Sequence, residues 1–221
     1  MKLLLLIGGA IVLLGIAAMA VFVFVVQNVE TPAYVAMESD GAFEIRDYPA
    51  LVVAETTRTG ARREALGAGF GPLARYIFAK ERGGEKIAMT APVIQQRPEE
   101  RAERIAMTAP VIQAATGEDA WSVRFIMPSG YSLDALPAPA TPEVRLREIP
   151  AQRRAAVRFS GSTTDAVLAE QEAVLRAWMA ARGLTAAGPA VYAYYNDPFT
   201  PGVLRRNEVL IDIETSANPA K

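Results

Sequence analysis

Met1-Lys2 is followed by an unbroken apolar run from Leu3 to Val26 that holds no charged and no polar side chain. At about 1.5 Å per residue such a run makes a helix of roughly 36 Å, enough to cross a hydrocarbon core of about 30 Å with some tilt. It divides the chain into a membrane-type segment and a remainder of roughly 190 residues, enough for one medium domain or two closely packed halves.

Two readings of the run stay open. Ala18-Met19-Ala20 has the form of a signal-peptidase site. The apolar stretch continues past it through Val21–Val26, whereas a signal core is about 7–15 residues long, so a retained anchor is favoured. Lys2 before the run and Glu30 after it orient the N-terminus to the cytoplasm. The expectation is an inner-membrane protein whose domain faces the periplasm or exterior, or, after cleavage, a secreted periplasmic one. The expected layout is anchor or signal 1–28, linker 29–37, folded domain 38–213 and disordered tail 214–221.

There is no cysteine and no histidine. This removes thiol catalysis, thiolate metal sites, the commonest general base and the commonest metal ligand. A net charge of −1 without long charge blocks gives no footprint for nucleic acid.

Strand patterns are expected at 43–46, 51–57, 86–94, 104–112, 121–127, 144–149, 155–160, 190–196 and 206–213. A first helix is expected over 62–80, because Leu66, Phe70, Leu73 and Ile77 fall on one face. Gly67, Gly69, Gly71 and Pro72 interrupt it, so either it starts near Pro72 or its first part is loose. A second helix spans 163–182, capped by Ser162 with Asp165 answering. Val167, Leu168, Gln171, Val174, Leu175, Trp178 and Met179 form its inward face, and Gly183 ends it.

Two repeats organise the chain. At an offset of 101 residues, Arg46, Pro49, Ala50, Ala54, Gly60 and Arg75 recur as Arg147, Pro150, Ala151, Ala155, Gly161 and Arg176. The matches fall on equivalent elements and predict two copies of one β-β-helix-β unit in a pseudo-twofold α+β domain. The second repeat is local: Lys86-Ile-Ala-Met-Thr-Ala-Pro-Val-Ile-Gln95 returns as Arg104-Ile-Ala-Met-Thr-Ala-Pro-Val-Ile-Gln113. An 18-residue offset suits two adjacent strands, each proline marking an edge or bulge.

The string Lys-Ile-Ala-Met-Thr-Ala-Pro-Val resembles the signature of the SOUL/haem-binding proteins. Phe43-Glu-Ile-Arg-Asp-Tyr48, Gly69-Phe70, Leu73-Ala-Arg-Tyr-Ile77, Trp121-Ser-Val-Arg-Phe-Ile-Met-Pro128, Arg158-Phe-Ser-Gly161, Tyr195-Asn-Asp-Pro198 and Leu204-Arg-Arg-Asn-Glu-Val209 are similar to its other segments, in family order. The tandem signature is similar to a variant in bacterial members. The resemblance implies a distorted antiparallel β-barrel flanked by two helices, similar in plan to bacterial effector-binding domains. It also implies binding of haem or another porphyrin, with the first helix as one wall of an apolar groove.

A porphyrin needs a flat apolar slot, cations for its propionates and, optionally, an axial ligand. Leu66, Phe70, Leu73 and Ile77 are candidates for the slot, with the glycines admitting a ring close to the backbone. Arg75, Arg205 and Arg206 are candidates for the propionates. Met89 and Met107 are the obvious iron ligands, although an alternating strand position equally reads as core. Without histidine, weak or absent axial ligation is expected, and a non-covalent ligand that is haem or metal-free porphyrin. The expected function is tetrapyrrole binding for transport, buffering or sensing, by a monomer. The alternatives are an amphiphile or effector-binding module, or a tetrapyrrole-modifying enzyme such as a haem dechelatase. For catalysis only groups such as Glu55, Glu64, Tyr76 and Tyr195 remain, and no spacing singles them out.

Overall fold

The computed structural model describes residues 8–9, 13–15, 29–98, 119–197 and 199–214. Most of the Leu3–Val26 run, the second signature copy with Met107, and the tail from 215 lie outside the described residues. Among the described residues no helix is long and apolar enough to cross a membrane.

The strands are β1 (Val35–Asp40), β2 (Phe43–Tyr48), β3 (Leu51–Thr59), β4 (Val93–Gln96), β5 (Ala120–Ile126), β6 (Arg145–Ile149), β7 (Gln152–Phe159), β8 (Val191–Tyr194) and β9 (Asn207–Asp212). The helices are α1 (Arg62–Ile77) and α2 (Asp165–Ala181). All neighbouring strands are antiparallel, in the order β1-β2-β7-β9-β8-β4-β5-β3-β6. Setting β1 aside and exchanging each strand of the first half for its equivalent in the second turns this order into its own reverse. Register agrees: Leu51 pairs with Ile149, and the same pair moved across the 101-residue repeat is Gln152 with Tyr48. The central β4–β8 pair maps onto itself, with Val93 opposite Tyr194 and Gln96 opposite Val191.

The expected barrel is not closed. The sheet is open, with β1 and β6 as its edges. β1 lies outside the repeat and, among the described residues, pairs only with β2, and all six of its residues are exposed. The expected linker contributes to the sheet at its end: residues from Val35 belong to β1, and Glu30 makes a bridge to Thr90.

Strand alternation places the core. Ala54, Val123 and Phe125 face α1 together with Leu73, Tyr76 and Ile77. Ala155, Val157, Val209 and Ile211 face α2 with Leu168, Leu175, Trp178 and Met179. Val53, Ile94, Ile126, Ala156 and Leu210, the alternate residues, form a third cluster on the opposite face. Val174, expected inward, is exposed. The cap of α2 is Thr164, whose hydroxyl accepts from the Val167 amide, rather than Ser162.

α1 is regular from Arg62 and runs through Pro72. Proline brings no amide hydrogen for the carbonyl four residues back, that of Ala68. Arg58 of β3 donates to that oxygen at 3.4 Å. This side-chain substitute removes the reason for the helix to start late. The signature strand is shorter than expected: only Val93–Gln96 is ladder-paired, after a cis Ala91–Pro92 bond.

Candidate functional site

The expected slot residues take different positions. Leu73 and Ile77 are fully buried against the sheet, Leu66 and Met89 pack beside them, and Phe70 is partly exposed with its edge on Phe125. The apolar face of α1 is therefore largely core. Gly69 shows why: a Cβ there would meet Val123 at 2.7 Å, so this glycine serves close contact of helix and strand. Arg75 lies on the surface, 2.6 Å from Glu81.

Arg205 and Arg206 sit in the other half, in the β8–β9 loop. They border an open cleft of about 680 Å³ lined by Gly41, Ala42, Glu44, Arg158–Ser160 and Val203–Arg206. That volume lies within the roughly 300–1,000 Å³ usual for small-molecule sites. The apolar lining comes from Phe159, Val203 and Leu204, and the cations from Arg158, Arg205 and Arg206. The structure thus brings Arg205 and Arg206 together, with Arg158, and does not join them to Arg75 or the α1 face. Arg158, Phe159, Val203 and Leu204 were not legible as site residues. The available signal was an apolar pair inside a Pro-Gly turn followed by two arginines.

The loop is braced. Asp197 accepts from the Phe199 amide at 2.7 Å and from the Thr200 hydroxyl at 2.6 Å. Arg205 Nε donates to the Thr200 carbonyl at 2.7 Å, and the Gly161 amide donates to Gly202 at 2.9 Å.

Behind the cleft lies a buried charge network. Arg46 donates through both Nη atoms to Glu208, at 2.7 and 3.1 Å. Arg206 donates to the same carboxylate at 2.8 Å, as does the Tyr195 hydroxyl. Burial alone would raise the Glu208 carboxyl; the bonds and charges of Arg46 and Arg206 outweigh it and hold it below the ordinary value. Burial, with Glu208 adding to it, pushes the Tyr195 phenol well up. This carboxylate is consumed by its partners, so the network is a fixed wall rather than a reactive pair.

The catalytic candidates do not converge. Glu55 belongs to a separate cluster, bonded to Arg124, which also donates to Gln96. Tyr76 donates to the Pro137 carbonyl, and Glu64 is exposed. Among the described residues no group of three or more carboxylates could hold a metal ion.

The sequence model of the SOUL heme-binding protein family matches residues 29–212. The chain belongs to that family. Among solved structures, this SOUL protein is similar to the EcmrR C-terminal domain, at 12% identity and a TM-score of 0.53 over 78% of this chain and 97% of that one. It is also similar to a hydrolase from Listeria innocua, at 12% identity and a TM-score of 0.51 over 80% and 94% of the two chains. Likeness at this identity shows a shared fold and no shared activity. A comparison with curated protein sequences gives no match.

Proposed function

We propose that this SOUL-family domain binds haem or a metal-free porphyrin, non-covalently, in the cleft beside the β8–β9 loop. The observation that carries the reading is the pairing, in one cleft of about 680 Å³, of an apolar wall from Phe159, Val203 and Leu204 with the guanidinium groups of Arg158, Arg205 and Arg206. A tetrapyrrole is a flat apolar ring with carboxylates on one edge, and arginine matches a carboxylate through its planar fork. Among the described residues that line the cleft there is no methionine or tyrosine, and ligation of the iron is taken to be weak or absent. Association and ordering costs then place the affinity nearer micromolar than nanomolar. The domain is a monomer held at the outer side of the inner membrane by residues 3–26 and serves transport, buffering or sensing. An open cleft with an apolar wall and three arginines also suits another anionic amphiphile.

Haemin titration followed by absorption tests the reading. Arg158→Ser with Arg205→Ser is expected to weaken binding at least about tenfold, the loss of two charge-assisted contacts. The bound ferric spectrum is expected to be five-coordinate and high-spin. Unchanged affinity in this variant, with loss in Phe70→Asp, overturns the cleft and moves the ligand to the α1 face.

A further inference from the structure

The tip of the β8–β9 loop is apolar and turned outward. Phe199 and Val203 are each 83% exposed and Leu204 is 51% exposed, although hydrogen bonds at Asp197, Phe199, Thr200, Leu204 and Arg205 brace the loop and Thr200 within it is buried. A braced backbone thus presents these side chains to the surroundings. Large apolar groups clustered on one protruding loop mark a contact surface.

The flanks of the tip are cationic. Arg158, Arg205 and Arg206 lie beside Val203 and Leu204. The nearest acids are engaged: Glu44 and Glu208 both bind Arg46, and Asp197 accepts from the loop itself. An apolar tip ringed by arginines is complementary to a bilayer surface with anionic headgroups, the side chains entering the boundary layer and the guanidinium groups meeting phosphates.

The course of the chain supplies an independent observation. Val29 and Thr31 line a cavity together with Leu204, Arg206, Tyr195 and Asn196. The chain therefore enters the domain next to this loop, and the apolar run ending at Val26 stands three residues before Val29. Three residues span at most about 10 Å of chain, so a bilayer holding that run comes within reach of Val29 and of the loop beside it.

We infer that the β8–β9 loop docks on an anionic phospholipid surface, with Phe199 and Val203 inserted and Arg158 and Arg205 at the phosphates. The domain is thereby tethered at two points, and its cleft opens at the lipid boundary, where an amphiphilic ligand is most concentrated. The docking rests on the exposed tip, the entry point of the chain and the anchor proposed above for residues 3–26, and stands without the ligand assignment.

The test uses the full chain reconstituted in vesicles containing phosphatidylglycerol and a lipid brominated high in its acyl chains. Phe199→Trp, at an exposed position, adds a reporter to the native Trp121 and Trp178. Its emission is expected to be blue-shifted and quenched by the brominated lipid beyond the quenching of the unaltered chain. Adding Arg205→Ser is expected to lower the inserted fraction by up to about fivefold, the effect of one basic residue at an anionic surface. Solvent-like emission from the introduced indole, with no added quenching, overturns the docking, and equal quenching in purely zwitterionic vesicles overturns the anionic surface. Haemin titration of the same vesicles separates the two proposals: haemin bound without quenching sinks the docking alone, and quenching without haemin binding sinks the ligand reading alone.

Discussion

Arg46 of β2 and Glu208 of β9 meet in a bidentate pair that spans the intervening strand β7, with side-chain exposures of 2% and 0%. A pair so deeply buried contributes little net stability when intact, because desolvation offsets attraction. Breaking it is another matter, since the survivor is a lone charge inside the protein.

Glu208→Ala is therefore expected to destabilise the fold by about 3–5 kcal/mol, leaving Arg46 buried without its main partner. Arg46→Met combined with Glu208→Leu is expected to cost less than Glu208→Ala alone. Urea denaturation of the two variants checks the order; a double variant less stable than Glu208→Ala would overturn this account of the pair.

The glycines of α1 separate by environment. Gly69→Ala is expected to destabilise by about 1–3 kcal/mol through the clash with Val123, because both neighbours are buried and packed. Gly67→Ala, where nothing lies within 4 Å, is expected to stabilise by about 0.5–1 kcal/mol by restricting the unfolded chain. Thermal melts of the pair read the contrast directly.

Arg58→Ala removes the donor that serves the Ala68 carbonyl below Pro72. The expected loss is about 1 kcal/mol, in keeping with one partly exposed hydrogen bond. In Arg58→Ala with Pro72→Ala a regular helical bond returns, so the penalty of Arg58→Ala should shrink. An equal penalty in both backgrounds would remove Arg58 from the account of why the helix tolerates its proline.

Stability should be flat across the middle of the pH range and fall at both ends. Burial raises the Glu55 and Glu208 carboxyls, but their arginines outweigh it and hold both below the ordinary value of 4.5. The unfolded chain then binds protons before the folded one does. Their contribution is complete above 4.5 and is lost as pH falls through the lower folded values. Burial raises the Tyr194 phenol from 10.0 to about 12, so its contribution is complete below 10 and is lost as pH rises through 12. No histidine or cysteine titrates in between. Denaturation midpoints from about pH 5.5 to 9 should coincide; a step near neutrality would contradict this.

The architecture was legible because the repeat constrains it. Pro49 and Pro150 predict equivalent turns, and Tyr48–Gln152 and Leu51–Ile149 carry that equivalence into the register. The open edge was hidden, because Val35–Asp40 follows a stretch that reads as linker and has no counterpart in the second half. The helix start was hidden by Pro72, whose missing hydrogen bond is supplied by Arg58, ten residues before the carbonyl it serves. The slot was ambiguous in principle. The spacing of Leu66, Phe70, Leu73 and Ile77 is the same whether a face meets a ligand or a sheet, and Gly69 against Val123 shows the sheet. Arg205 and Arg206 were legible as cations, but the apolar wall beside them joins the adjacent Val203 and Leu204 to Phe159, more than forty residues earlier in the chain.

β2 and β3 are joined by only two residues, Pro49 and Ala50, yet the sheet sends them to opposite regions, β2 beside β7 and β3 between β5 and β6. During synthesis this sets an order of events. β3, α1, β4 and β5 can begin to assemble as they emerge, since β5 pairs with both β3 and β4 within the first half, although β3 still awaits β6 and β4 awaits β8. The β1–β2 hairpin cannot: Asp47 waits for Arg153, 106 residues later. Until Phe159 has left the ribosome that hairpin has no third strand, and a two-stranded ribbon alone is marginal in water. The pairing of β2 with β7 thus waits for the second half, and a polypeptide interrupted before β7 carries an orphaned N-terminal hairpin just beyond its apolar run.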